Sequence, residues 1–257
     1  MSDSGDEENG LGLFNEPEDY YPPSPKPTEA FHTLHSGKTI SLRLVGHNPL
    51  WGHLLWQAGR IISDYFEENP SLVASKTVLE LGAGAGLPSL VSAICGASKV
   101  VVTDYPDVDL VQNLQHNIDH CDLLPKEKNI SAMGYLWGAA PDALLAELPK
   151  QDSGEEAAGF DVLILADLLF NHSEHAKLVS TVVQTLKKTP ESTALVFFTP
   201  YRPWLYEKDL AFFDLIKEEG FTVEKILEHK MEKVMFEEDR GDEELRRTVF
   251  GFQVKWA

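Results

Sequence analysis

Cysteine is scarce in this chain. Cys95 and Cys121 are the only two in 257 residues, which gives neither a disulfide framework nor a zinc-binding spacing. Their scarcity suits a reducing compartment, and the cytoplasm is the expected location. Basic residues are scarce too: 22 Lys and Arg stand against 41 Asp and Glu, for a formal net charge of −19. Nothing resembles a basic groove, so direct nucleic-acid binding is not expected. No window approaches about 18 consecutive apolar residues, so no membrane span is expected. The opening MSDSGDEENG lacks the basic-then-apolar layout of a signal peptide.

What is present is ordinary in bulk and uneven in detail. A chain with 43% hydrophobic and 25% charged residues has the composition of a globular protein with a sizeable core. Residues 1–25 carry seven acids and no Lys or Arg, and EEDRGDEE at 237–244 carries six acids against one Arg. Such acidity steers a basic partner toward the surface, although acidic segments also serve solubility alone. The acidic, Pro-rich start over 1–27 reads as disordered or strap-like, and KQDSGEEAAG at 150–159 reads as a surface loop.

From residue 28 onward the pattern is that of one domain. KTISLRLVG (38–46) alternates as a strand in a small hairpin, and 49–69 carries apolar residues at helical spacing up to Asn69-Pro70. Together, 28–70 form an N-terminal strand and helix ahead of a seven-strand core over 76–257. In that core, strands are expected at 77–82, 99–104, 130–138, 159–167 and 193–200. Helices are expected at 87–96, 108–121, 140–148, 172–188 and 204–220. Two last strands, 221–229 and 246–256, are joined without a helix. The fold class is therefore α/β: a Rossmann-like, mostly parallel seven-stranded sheet with helices on both faces and one antiparallel strand from the C-terminal hairpin.

TVLELGAGAGLPSL (77–90) is a buried strand running through three glycines into an apolar helix. In open parallel sheets such a turn, at a strand's carboxyl end, holds a ligand. The dinucleotide fingerprint G-x-G-x-x-G has Leu87 at its third glycine position, and no G-K-[ST] is present. Glu80 beside the turn repels phosphate and attracts a cation, which suits S-adenosylmethionine better than NAD. Asp104, about 20 residues on, can accept both ribose hydroxyls, a property that by itself fits either ligand. Trp137 can flank an adenine or be a plain rim tryptophan. Asp167 ends the most apolar strand, where burial penalises a carboxylate unless it faces a pocket or partner. The milder reading makes it a cap for the helix after it. His172 and His175 lack a third metal ligand, so no metal is expected.

ELGAGAGLP, VVTDYPD, Trp137-Gly138 and ADLLF together resemble the family-16 type of seven-β-strand S-adenosylmethionine-dependent methyltransferases, over about residues 30–257. HNPLWGHLLWQAG, ADLLFNHSEH and FFTPYRP resemble the fungal members that act on translation elongation factor 1-alpha, once labelled nicotinamide N-methyltransferase-like. The resemblance implies S-adenosyl-L-methionine as cofactor. Gly82, Ala83 and Gly84 would contact its methionine part, Asp104 its ribose and Trp137 its adenine, with Trp56 and Ala166 completing the pocket. Asp167 and Phe170 would face the substrate amine. Phe170, Tyr201 and Trp204 would cradle the methylated ammonium by cation–π contact. The implied reaction is methylation of the factor's N-terminal α-amine, a Gly after Met removal, and of the adjacent Lys, by a monomer that binds neither membrane nor nucleic acid. Rival expectations are a small-molecule amine methyltransferase, methylation of another protein lysine, a silent binding module on the same scaffold, and, more distantly, an oxidoreductase.

Overall fold

In the computed structural model, residues 26–127, 129–149 and 159–257 are described. The segments expected to be a disordered start (1–27) and a surface loop (150–159) lie outside the described residues, apart from their edges. Two short strands, β1 (Thr28–Thr33) and β2 (Thr39–Leu44), pair antiparallel with Thr28 opposite Leu44. Period-2 alternation in β2 buries Ile40, Leu42 and Leu44. Helix α1 (Gln57–Glu68) follows.

The core then alternates as β3 (Thr77–Leu81), α2 (Leu87–Ile94), β4 (Lys99–Asp104), α3 (Val108–Asp119), β5 (Ile130–Gly134) and α4 (Asp142–Leu145). It continues as β6 (Val162–Ala166), α5 (His175–Thr185), β7 (Thr193–Phe198) and α6 (Tyr206–Glu218). The chain closes with β8 (Phe221–Lys230), α7 (Glu243–Arg246) and β9 (Thr248–Trp256). Among the described residues, no helix is long and apolar enough to cross a membrane.

The seven-stranded sheet has the order β5-β4-β3-β6-β7-β9-β8. The first five of these strands run parallel, and β9 is antiparallel to both β7 and β8, so it alone is reversed. Successive crossovers step from β3 outward to β5, then jump back to β6 on the other side of β3. That jump is the point where parallel sheets open a crevice at their carboxyl ends. Each strand feeds both layers. Val78 packs with Phe66, Leu87 and Val91 on the α1–α2–α3 face, whereas Leu79 and Leu81 pack with Leu178, Val182 and Phe212 on the α5–α6 face.

The hairpin is tied to the core by polar groups. Asn117 accepts from the Arg43 N–H at 2.8 Å, and its amide donates to the carbonyls of Arg43 and Ala85, each at 3.0 Å. One buried side chain of α3 thus joins β2 to the glycine turn.

Five segments differ from the sequence pattern, the first being the join of the last two strands, expected without a helix, which holds the four-residue α7 capped by the Asp242 side chain. The helix expected from 49 begins at Gln57; residues 49–56 form turns, with Trp51 left-handed at φ 64°. Pro49 and Gly52 break the run. A Cβ on Gly52 would stand 2.6 Å from Leu110 Cδ2, so a close approach takes precedence over helix there. The strand expected to reach Gly138 stops at Gly134, where a Cβ would meet the Pro106 backbone at 2.9 Å. The helix expected over 140–148 shrinks to the four residues of α4, and that expected over 172–188 starts as a 3₁₀ turn, His172–Glu174, before α5.

Phe212 is fully buried in the α5–α6 layer. Phe212→Ala should cost about 3–5 kcal/mol, read as a lower urea midpoint at unchanged slope. A loss under about 1 kcal/mol would mean that the layer is not close-packed.

Candidate active site

The glycine turn owes its shape to three left-handed residues, Gly82 (φ 59°), Gly84 (φ 57°) and Gly86 (φ 76°), a region that L side chains avoid. Gly82 also lies under two side chains: a Cβ there would stand 2.7 Å from Leu168 Cδ2 and 3.1 Å from the Trp137 ring. Around Gly84 nothing lies within 4 Å of that position, so the turn presents open backbone. The Gly84 N–H donates to Asp104 Oδ2 at 2.6 Å, and the Tyr105 N–H donates to Oδ1 at 2.7 Å. Burial raises the Asp104 carboxyl above its usual range, and these two donors oppose the rise. Glu80 points into the start of α2, where its Oε2 accepts from the Ser89 N–H at 2.9 Å and from the Ser89 hydroxyl. Burial pushes Glu80 up to about 8.

Asp167 follows β6 in a left-handed conformation, φ 54°. Its Oδ1 accepts from the Thr199 N–H at 2.7 Å; its Oδ2 accepts from the Ala58 N–H at 2.9 Å and the Tyr201 hydroxyl at 3.3 Å. The carboxylate therefore caps α1, not the helix that follows it. Burial pushes it up to about 7, and the donors pull the other way.

Above it sits an aromatic cluster. The Trp56 ring lies 5.1 Å from Tyr201, 5.9 Å from Phe236 and 6.4 Å from Phe170, nearly parallel to the last. Trp56 Nε1 donates to the Trp51 carbonyl at 3.2 Å, and Arg202 Nη2 donates to the Phe170 carbonyl at 2.6 Å. Phe170 remains 38% exposed.

These parts line one cleft of about 610 Å³, within the range of small-ligand sites. Gly82, Ala83, Gly84, Asp104, Trp137, Trp51, Trp56, Ala166, Asp167 and Phe170 all line it. Every residue expected to hold a cofactor is thus brought together. Lys177 is the single Lys or Arg of the lining, and it pairs with Glu174 at 2.9 Å. Tyr201 stands behind Trp56 with its hydroxyl on Asp167 and is not part of the lining. Trp204, expected beside Phe170, is 63% exposed and also outside the cleft. His172 bonds Asp209 at 2.7 Å and His175 bonds the Leu169 carbonyl at 2.8 Å, so neither is a spare ligand.

Sequence reasoning missed Phe236 and Gln57. The loop between β8 and β9 brings Phe236 5.7 Å from Tyr201. Arg246 Nη1 holds its carbonyl at 2.7 Å, and Gln57 Nε2 donates to the Lys233 carbonyl at 3.2 Å. The lone aromatic in KVMFEED was the available signal.

A model of the lysine methyltransferase family matches residues 38–219. A protein N-terminal and lysine N-methyltransferase of Neurospora crassa is 57% identical over 258 residues, covering 99% of this chain and 91% of its own. That of Schizosaccharomyces pombe is 46% identical over 250 residues, 95% of either chain. Among solved structures, the T. thermophilus 16S rRNA N2 G1207 methyltransferase, in complex with AdoMet and guanosine, superposes with a TM-score of 0.53 at 17% identity. It covers 91% of this chain and 51% of its own, a likeness of fold.

Glu80 at about 8 and Asp167 at about 7 both exceed the unfolded value of about 4. From about pH 4 to pH 8 the native state therefore holds protons that the unfolded state has lost, and stability falls as pH rises through that window. Glu80→Gln copies the protonated carboxyl. Its melting temperature should fall less than the wild type's between pH 5 and pH 8, and equal slopes would show that Glu80 is ionised throughout.

Proposed function

The chain belongs to the lysine methyltransferase family, and from that premise we propose that it is an S-adenosylmethionine-dependent protein methyltransferase. Its substrate is the N-terminal α-amine of translation elongation factor 1-alpha, with the adjacent Lys as a second acceptor. It acts in the cytoplasm as a monomer, through a single domain spanning 28–257. The observation that carries the reading is the near full-length match to relatives named protein N-terminal and lysine N-methyltransferases, joined to a cleft whose chemistry suits the cofactor.

That chemistry is specific. The lining offers carboxylates at Glu80 and Asp104, open backbone at Gly84, and one paired cation. A sulfonium and an ammonium suit such walls; a pyrophosphate does not. Gly82, Ala83 and Gly84 would hold the methionine part. The Asp104 oxygens keep lone pairs for ribose hydroxyls beyond the two N–H groups they already accept. Trp137 would flank the adenine, with Trp56 and Ala166 closing the pocket. When bound, S-adenosylmethionine supplies a methyl group made electrophilic by its sulfonium.

The chain's own residues receive and align the amine. An α-amine with a pKa of about 7.7–8.0 is substantially neutral at physiological pH, whereas a lysine near 10.4 is not, so the terminus is the easier nucleophile. Phe170 and Trp56 flank the acceptor and stabilise positive charge on it by cation–π contact. Asp167 was expected to bind that ammonium directly. Its bonds to Ala58, Thr199 and Tyr201 leave it about one acceptor site for that ammonium, and they also position the start of α1 and Tyr201.

Incubation with S-adenosylmethionine and unmodified elongation factor 1-alpha should add methyl groups to the N-terminal peptide, read by mass spectrometry. Methylation of nicotinamide with none on the factor would overturn the substrate. Asp104→Ala should weaken cofactor binding by about 10–100-fold, the worth of charged hydrogen bonds at about 1.5–3 kcal/mol. Calorimetric affinity within twofold of wild type would remove Asp104 from the ribose.

A further inference from the structure

About six residues along α1 from the cleft, roughly 9 Å of helix, a second constellation faces β1. His32 of β1 is 6% exposed, and its Nε2 is buried with no hydrogen-bond partner. That nitrogen lies 3.3 Å from Asp64 Oδ1, too poorly directed to count as a hydrogen bond. Asp64 and Glu67 stand three apart on α1 and therefore share a face. One donor atom from each of His32, Asp64 and Glu67 falls within 4.8 Å of the other two.

We propose that His32, Asp64 and Glu67 form a binding site for a zinc-like divalent cation, separate from the methyl-transfer cleft. Tetrahedral zinc with bonds of about 2.0–2.1 Å spaces its donors about 3.3 Å apart, the separation His32 and Asp64 already have. Glu67 closes the remaining distance by side-chain rotation, being half-buried on the helix surface. Its carboxylate is already aimed by the His35 N–H, which donates to Oε1 at 3.0 Å and to Oε2 at 3.2 Å. A cavity of about 120 Å³ lined by Asp64, Glu68, His35 and His229 adjoins the site, leaving room for a fourth ligand from a histidine or water.

Charge and protonation agree with this geometry. Three carboxylates, Asp64, Glu67 and Glu68, crowd together, and the Arg60 guanidinium, bonded to the Phe31 carbonyl at 2.8 Å, offsets only one. A neutral imidazole is the form that binds metal. An unpartnered buried nitrogen beside crowded carboxylates is costly by itself, and one cation satisfies both. The ion would pin the β1–β2 hairpin to the helix whose first turn carries Gly59 in the cleft lining.

The test uses untagged protein stripped with EDTA, and zinc chloride as the probe. All samples carry His116→Ala and His120→Ala, because those stacked rings, 3.9 Å apart on the surface, offer a second binding pair. One equivalent of zinc by elemental analysis after dialysis and a raised melting temperature are expected. His32→Gln should weaken binding by more than about a hundredfold, beyond the roughly 10–100-fold that the loss of an outer-shell partner costs. Glu67→Gln, which keeps a side-chain oxygen for the His35 N–H, should weaken it at least several-fold with unchanged circular dichroism. No zinc retained against micromolar free metal would overturn the site. So would uptake that Glu67→Gln leaves unaltered, even where His32→Gln fails to fold.

Discussion

A single buried carboxylate joins the parts of this protein that must meet at the cleft. Asp167 ends β6, caps α1 through the Ala58 N–H, and fixes the turn after β7 through the Thr199 N–H and the Tyr201 hydroxyl. Three segments far apart in sequence share one acceptor group. Each lost bond would leave a buried donor unpaired, at about 1–3 kcal/mol each. The left-handed backbone at Asp167 is sustained because these bonds over-determine it. The orientation of Trp56, and through it of the aromatic cluster, follows from that junction.

Electrostatics then selects what the cleft accepts. Glu80 and Asp104 put two carboxylates under the glycine turn, and the one Lys of the lining is already paired. Burial pushes Glu80 up to about 8, which opposes its ionisation. A cationic ligand would reverse that balance by favouring the ionised forms. The acidic segment over 237–244, whose role was open in the sequence, directly follows Phe236, which packs beside Trp56 and Tyr201.

The glycine turn, the spaced Asp104 and the alternation of strands and helices were legible because each is a local pattern. Three left-handed glycines between a buried strand and an apolar helix allow few other structures. The reversed last strand was equally legible, since the stretch between β8 and β9 is too short and acidic for a crossover helix and holds only the four-residue α7. The start of α1 was not legible: apolar residues at 50–56 recur at helical spacing, yet they line the cleft from a turn set by Pro49 and Gly52. Periodicity reports that a residue is buried, not which neighbour covers it.

By itself, then, the sequence determined the layers, the run of parallel strands and the one reversed strand, because hydrophobic period and glycine conformation act over a few residues. Only the tertiary structure decided the partners. It turned Asp167 toward Ala58 and Thr199, put Tyr201 behind Trp56 and Trp204 outside, brought Phe236 in, and set His32 against Asp64 and Glu67. Those outcomes depend on packing between elements tens of residues apart, where directed hydrogen bonds and close contacts choose among arrangements that the same local pattern permits.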